Sequence, residues 1–510
     1  MALTATGRAR PRTGLALTVI VIGVLMAAID TTIVVLALPE MERALHVPLA
    51  HVIWVVIGYL LVITLLATQV GRLGDMFGRV RMYETGFLVF IVGSALCALA
   101  GNEVTIIAFR VLQGLGGALI TANGGAVIAD TFPPEVRGRA YGYNSVGWNV
   151  GAVTGILLGG LIITYLSWRW IFWINVPAGL LAFGLALRVL HDTGNRSRQR
   201  LDWPGMLTLG VGLFGVLWAM TQLTTSALNG TVLGFLGVGL VLLAAFVVIE
   251  IRSPAPMVPF SIFRIPTMSP TLLAALFQSL ANFAVLFLVI MYLQGVRRLS
   301  PLDASLLLVP GYLVGAVVGP VAGRLSDRVG VVWPATVGLA IEILALWVYS
   351  GLGVATPLWV VALAAVVNGV GGGGFFPANN AAVMKVAPGR AFGTASGLLR
   401  TFANVGMVFS FTVAILVAAR AIPRGLAFAI FVGTTRLDPH LSKVFTGGLH
   451  AAFLTSMAFM ALAAVLSATR LAGRRRQPPA GIEPLPGSSS PAPGPAGPGP
   501  DQAVAPIPPS

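Results

Sequence analysis

Fourteen stretches of about twenty residues run along this chain with almost no ionisable side chain in them, and nothing else constrains its fold as tightly. Twenty helical residues at ~1.5 Å each cross a ~30 Å hydrocarbon core, and in lipid only helices and closed barrels satisfy every backbone N–H and C=O. The stretches are read as spans 15–38, 50–70, 82–100, 104–127, 139–165, 170–190, 205–223, 229–250, 269–294, 304–322, 332–350, 357–384, 396–420 and 448–470. Of the 510 residues 56% are hydrophobic and 10% charged, against about a quarter charged in a soluble chain. The expected fold is an all-α polytopic membrane protein.

The first run is longer than the roughly 7–15-residue core of a cleavable signal, and no small-x-small cleavage site follows it. A single cysteine, Cys97, excludes an intramolecular disulfide. A net charge of +15 would point a soluble protein toward nucleic acid, whereas here basic cytoplasmic loops account for it and no nucleic-acid partner is expected. With fourteen spans both ends share one side. If the N-terminus is inside, 22 of the 32 basic residues fall on inner segments and eight on outer ones, with Arg110 and Arg400 inside spans. The positive-inside rule then places both termini in the cytoplasm of a cell that carries the chain in its inner or plasma membrane. Residues 471–510 are rich in proline, glycine and serine and read as a disordered cytoplasmic tail.

"GRLGDMFGR" at 71–79 returns as "GRLSDRVG" at 323–330. The first copy follows the second span and the second follows the tenth, so the copies lie eight spans apart. Two six-helix bundles with one helix pair between them satisfy that spacing. The pair is 205–223 and 229–250, because residues 205 to 249 hold no ionisable side chain. A structural or lipid-facing role suits it. The expected organisation is a cytoplasmic N-terminus 1–14, a first bundle 15–190, linker segments and the inserted pair 191–268, and a second bundle 269–470.

This arrangement resembles the major facilitator superfamily and, with its inserted pair, the fourteen-helix drug:proton antiporter family. "AAIDTTIVVLALP" at 27–39 is similar to that family's first-helix signature, with Val35 where an asparagine is usual. "RVLQGLGGA" at 110–118 resembles its fourth-helix motif, "WRWIFWINVPAG" at 168–179 its sixth-helix entry, and "DWPG" at 202–205 its lead into the inserted pair. "YLQ" at 292–294, followed by Pro301 and Pro310, fits as well. The resemblance implies a transporter, not an enzyme, in which one bundle rocks against the other around a midplane site.

It also assigns roles. Asp75 would face the partner bundle's helix end and a neighbouring basic residue, Arg79 and Arg81 would add to a charge network latching the cytoplasmic side, Gly71 and Gly78 would turn the loop, and Asp327 would repeat the acid in the second copy. Plain topology, with Arg72, Arg79 and Arg81 as positive-inside anchors, is the alternative. In the fifth span Gly147, Gly151, Gly155 and Gly159 stand four apart, and small-xxx-small rows let helices approach closely. Gly151, Gly155, Gly159 and Gly160 match the antiporter motif except that Ile156 replaces its proline; generic helix packing is the alternative. "SWRW" at 167–170 reads as an interfacial aromatic belt rather than a substrate cage. Gln113, Asn123, Asn149, Asn282, Gln294, Asn379 and Asn380 are amides in or ending spans, either lining the cavity or bonding helices together.

Three ionisable residues lie deep in spans. Asp30 falls roughly 22 Å and Arg110 roughly 21 Å above the inner edge, so the two share a level. They are expected to form the proton-coupling site, with a permanent structural ion pair as the alternative. Glu342, near the midplane, is a candidate for a coupling or substrate role by its position; the resemblance puts its helix at the periphery of the second bundle, and a hydrogen-bonded or protonated structural acid is the alternative. No P-loop, metal cluster or nucleophile–base set is present, and no cofactor is expected. The expected function is proton-coupled export of amphipathic organic compounds such as drugs, antibiotics or secondary metabolites by a single-chain transport unit. A symporter or uniporter for a polar nutrient, or a lipid translocase or sensor, is the alternative. The partners are then a small organic substrate, protons and the lipid bilayer.

Overall fold

The computed structural model describes residues 10–132, 134–192, 200–225, 228–258, 260–386, 392–420 and 439–474. Among them fourteen helices are long and apolar enough to cross a membrane. They are α1 Arg10–Leu45, α2 Trp54–Phe77, α3 Arg79–Leu99, α4 Glu103–Thr131, α5 Pro134–Tyr165, α6 Trp170–Val189 (a short entry Trp170–Trp173 running into Asn175–Val189) and α7 Trp203–Thr225. The remainder are α8 Gly230–Arg252, α9 Met268–Met291, α10 Pro301–Val329, α11 Val332–Ser350, α12 Leu358–Val386, α13 Phe392–Arg420 and α14 Pro439–Arg474. Several overrun the apolar runs that announce them: α1 continues through Pro39 to Leu45, and α10 continues to Val329. Backbone hydrogen bonding does not stop where hydrocarbon does. The tail beyond Arg474 lies outside the described residues.

Local chemistry starts the helices. Asn102 caps α4 by accepting from the Thr105 N–H at 2.9 Å, while its own N–H donates to Thr105 Oγ1 at 3.3 Å. Ser300 caps α10 ahead of Pro301, and Asn229 caps α8. The repeat is visible in the backbone. Gly78 (φ 110°) turns the chain between α2 and α3, and Gly330 (φ 90°), its counterpart, turns it between α10 and α11. Both angles strain any residue with a Cβ.

Packing repeats as well. In the first group α1 lies against α4, α5 and α6, α3 against α4 and α6, and α2 against α4. In the second group α9 lies against α12, α13 and α14, α11 against α12 and α14, and α10 against α12. Two seams join the groups, α5 with α10 and α2 with α13, and the repeat's symmetry exchanges them. Glycines set the inserted pair's crossing: a Cβ on Gly215 would meet the Phe235 carbonyl at 2.9 Å. α7 rests on α2 and α13, with Trp54 and Phe214 rings 5.2 Å apart, whereas the most apolar window of α8 is only 11% buried. Its surroundings must be lipid. The same inversion holds elsewhere: Leu181 and Val241 are 70% and 68% exposed while Asp30 and Glu342 are fully buried.

Candidate functional site

Asp30 and Arg110 meet. Arg110 Nη1 donates to Asp30 Oδ2 at 2.7 Å, and both residues are almost wholly buried. Asp30 Oδ1 accepts from Gln113 Nε2 at 2.9 Å and from Asn175 Nδ2 at 3.3 Å. Arg110 also donates to the Gln113 side-chain carbonyl at 2.8 Å and to the Val55 backbone carbonyl at 2.8 Å, and its guanidinium lies 4.2 Å from the centre of the Tyr59 ring. Asn175 reaches Ser94 at 3.3 Å, and Ser94 donates to the Phe172 carbonyl at 2.8 Å. Five helices or helix entries of the first group thus hold one ion pair. Charges this deep persist only when paired and hydrogen-bonded.

The glycine row explains how α1 presents Asp30. A Cβ on Gly151 would lie 2.7 Å from the Leu25 carbonyl, one on Gly155 2.8 Å from the Ile29 carbonyl, and one on Gly159 3.0 Å from Ile33. The row therefore grips α1 inside one bundle, along the stretch that carries Asp30, and leaves α4 to supply its partner. Gly160 points elsewhere: its Cβ would lie 3.0 Å from Leu302 and the Pro301 carbonyl on α10. Beside it the Leu302 N–H donates to Thr164 Oγ1 at 3.3 Å, closing the α5–α10 seam at the face away from the termini. Ile156, where the resembling motif has proline, is buried in a helix that α5 continues without interruption.

The 71–79 loop carries an ion-pair cluster of its own. Arg79 binds Asp75 at 2.8 Å and Asp130, at the end of α4, at 2.7 Å. These ion pairs tie three helix ends of one bundle, the Gly78 turn folding Arg79 back over α2. Gly74 packs against Asn123 and Arg79, while Gly71 has open space around it, so only Gly74 and Gly78 need to be glycine for steric reasons. Arg72 is no mere anchor: it donates to the Arg200, Ala255 and Pro256 carbonyls and so fastens the loop to the segments that flank the inserted pair. Asp327 lies within α10, with its side chain outside the described residues.

The amides divide. Gln113 belongs to the ion-pair cluster. Asn282, half-buried, accepts from Asn368 Nδ2 at 3.0 Å. Gln294 sits in the π-helical turn Tyr292–Val296, half-buried with its Nε2 unpartnered, and Asn149 is also half-buried. Asn380 is exposed; its neighbour Asn379 is the buried one, donating to the Thr271 carbonyl and accepting from Arg470. Glu342 is fully buried against Gln278. Of "SWRW", Trp168 is core, with the Arg169 guanidinium 4.5 Å from the centre of its ring, and Trp170 is 52% exposed as a belt residue would be. Among the described residues no group of acidic, histidine or cysteine side chains is arranged to hold a metal.

Asn175, Ser94, Asn368 and Gln278 escaped the reading of the sequence. Asn175 carried a signal, as an isolated amide inside "WINVPAG"; a serine in an apolar helix carries none. Register supplies another signal. Counting 41 residues back from Gly71 lands on Asp30, and the same count back from Gly323 lands on Asn282. "QGLGG" at 113–117 likewise answers to "NGVGG" at 368–372. The Asp30–Gln113 contact at 2.9 Å and the Asn282–Asn368 contact at 3.0 Å are therefore one contact repeated, charged in the first bundle and neutral in the second.

The Major Facilitator Superfamily pattern matches residues 20–411, with a second match over 271–498. The chain is 32% identical over 390 residues to the tetracenomycin C resistance and export protein of Streptomyces glaucescens, covering 76% of this chain and 72% of that one. It is 28% identical over 394 residues to the riboflavin transporter RibZ of Clostridioides difficile (strain 630), covering 76% and 84%. Among solved structures, a bacterial homolog of the human lysosomal transporter Spinster, inward-facing and unoccupied, superposes with a TM-score of 0.64 at 17% identity, covering 92% of this chain and all of that one. That last likeness is one of fold.

Proposed function

This chain belongs to the Major Facilitator Superfamily, and on that premise we propose that it is a proton-coupled exporter of amphipathic organic compounds. It is a multi-pass membrane transporter; direction, driving ion and substrate are the parts proposed. The observation that carries the reading is the Asp30–Arg110 pair, an ionisable couple deep among the helices held by the neutral amides of Gln113 and Asn175 and by the Val55 carbonyl. An ionised Asp at that depth costs about 2.5–3.5 kcal/mol on insertion scales, eased either by Arg110 or by a proton. A carboxyl poised between those two solutions can take a proton from one face and give it up to the other when the bundles rock. One proton entering down ~100 mV releases about 2.3 kcal/mol, enough for a roughly fifty-fold gradient of a neutral compound.

The face carrying the 71–79 loop is assigned to the cytoplasm by its arginines. The Asp75–Arg79–Asp130 cluster would hold the ends of α2, α3 and α4 together there as one body during rocking. Export is favoured over nutrient import by the resistance relative; the riboflavin transporter keeps a polar-substrate reading in view. Ethidium accumulation in cells with and without the gene tests the choice. Lower retention that a protonophore abolishes is expected. Unchanged retention combined with proton-stimulated riboflavin uptake would replace export by import. A disulfide between Thr164→Cys and Leu302→Cys, across the closed seam, should stop transport reversibly; free transport with the bridge formed would remove the rocking scheme.

A further inference from the structure

The second bundle holds a buried carboxyl that the coupling scheme does not use. Glu342, midway along α11, is fully buried, and Gln278 Nε2 of α9 lies 3.0 Å from its Oε1 and 3.3 Å from its Oε2. No cation pairs with it among the described residues. The helices around it explain why. α9 carries no ionisable side chain, and α12 carries only Lys385 near its end. On α14, His450 is held by the Leu352 carbonyl and Arg470 by Thr271 and Asn379. On α10 the charged residues Asp303, Arg324, Asp327 and Arg328 lie toward the two ends of the helix.

One amide N–H does not compensate an ionised carboxylate in such a place. A neutral acid has a proton to give, and an unused acceptor stands beside it: Gln278 Oε1 is buried and has no hydrogen-bond partner. Rotation of the amide about its terminal torsion closes an acid–amide ring, with N–H donating to one carboxyl oxygen and the acid O–H donating to Oε1. The glycines of α12 seal the ring. A Cβ on Gly371 would lie 2.8 Å from the Glu342 nitrogen, and one on Gly372 would lie 3.3 Å from Oε1. Water that would stabilise a carboxylate has no room until α12 leaves α11.

Polar side chains also continue outward from the pair. Asn282 lies one turn beyond Gln278 on α9, and Asn368 lies one turn before Gly372 on α12. These two amides, half-buried and bonded to each other at 3.0 Å, continue the polar strip away from the fully buried pair.

We propose that Glu342 is a second proton-binding site, occupied in this conformation as a neutral acid paired with Gln278, reached past Asn282 and Asn368, and emptied only when α12 separates from α11. It shares no residue with the Asp30 cluster, so either site can fail alone. Infrared spectra of the full protein in phosphatidylcholine nanodiscs test it without any substrate. A protonated-carboxyl C=O band is expected at neutral pH, shifting in heavy water, lost in Glu342→Gln and kept in Asp30→Asn. Glu342→Asp should restore a displaced band, which separates loss of the acid from loss of the fold. Asn282→Leu should slow the exchange of that band with heavy water several-fold. A neutral-pH spectrum that Glu342→Gln leaves unchanged overturns the proposal, as does a Glu342 band that exchanges with heavy water as fast in Asn282→Leu as in wild type.

Discussion

The two bundles share a packing scheme and a repeated contact, yet the contact is charged in one and neutral in the other. Asp30 with Gln113 answers to Asn282 with Asn368, and Arg110 answers to Ala365, three residues ahead of the amide in each helix. A charge pair and an amide pair can hold two helices at one distance. Only the charge pair responds to a proton. The comparison teaches that architecture and coupling are separable here: the fold asks for a polar contact between these helices in each bundle, and the first bundle alone has spent it on an ionisable couple.

Stability should separate the members of the repeat most widely. Asp30→Leu strands a buried Arg110, a loss of about 3–5 kcal/mol. Asn282→Leu removes one interhelical hydrogen bond, about 0.6 kcal/mol and at most roughly 1.7. Thermal unfolding in detergent compares them, and equal shifts would break the distinction. A middle effect comes from the glycines. Gly155→Val drives a side chain into the Ile29 backbone and should cost about 1–3 kcal/mol, while Gly71→Ala, with open space around it, should fall within about 0.5 kcal/mol of wild type. A tolerant Gly155 would mean that α5 does not set the position of α1.

The smallest stability change belongs to the loops. Asp75–Arg79 is a partly exposed i,i+4 pair worth about 0.3–0.5 kcal/mol. Asp75→Asn should therefore leave unfolding almost unmoved while slowing transport, because it frees helix ends that must move together. In the second copy Val331 stands where the first has Arg79, so Asp327→Asn should disturb transport less. Equal defects in the two variants would erase this asymmetry.

Much of this was legible in the residues because lipid leaves a chain few choices. Runs of apolar side chains, the one loop motif used twice, and two opposite charges at one depth led to the fourteen helices and to the Asp30–Arg110 pair. Direction was harder to read. A glycine row announces close packing but not its partner, and Gly151, Gly155 and Gly159 turned out to face α1 within their own bundle. Asp75 announced a neighbouring basic partner but not Asp130, at the end of α4, as the third member of the cluster. Amides were hardest, since Asn379 and Asn380 differ by one residue and only their helical phase decides which is buried.

Gradient-driven ethidium uptake into proteoliposomes with an acidic lumen, wild type against Asp30→Asn, tests the coupling claim most directly. The amide keeps the shape of the carboxyl but cannot carry its proton. Wild type should accumulate the dye until a protonophore collapses the gradient, and Asp30→Asn should still exchange dye for dye at equal pH while accumulating none. Undiminished pH-driven accumulation by Asp30→Asn would contradict the account.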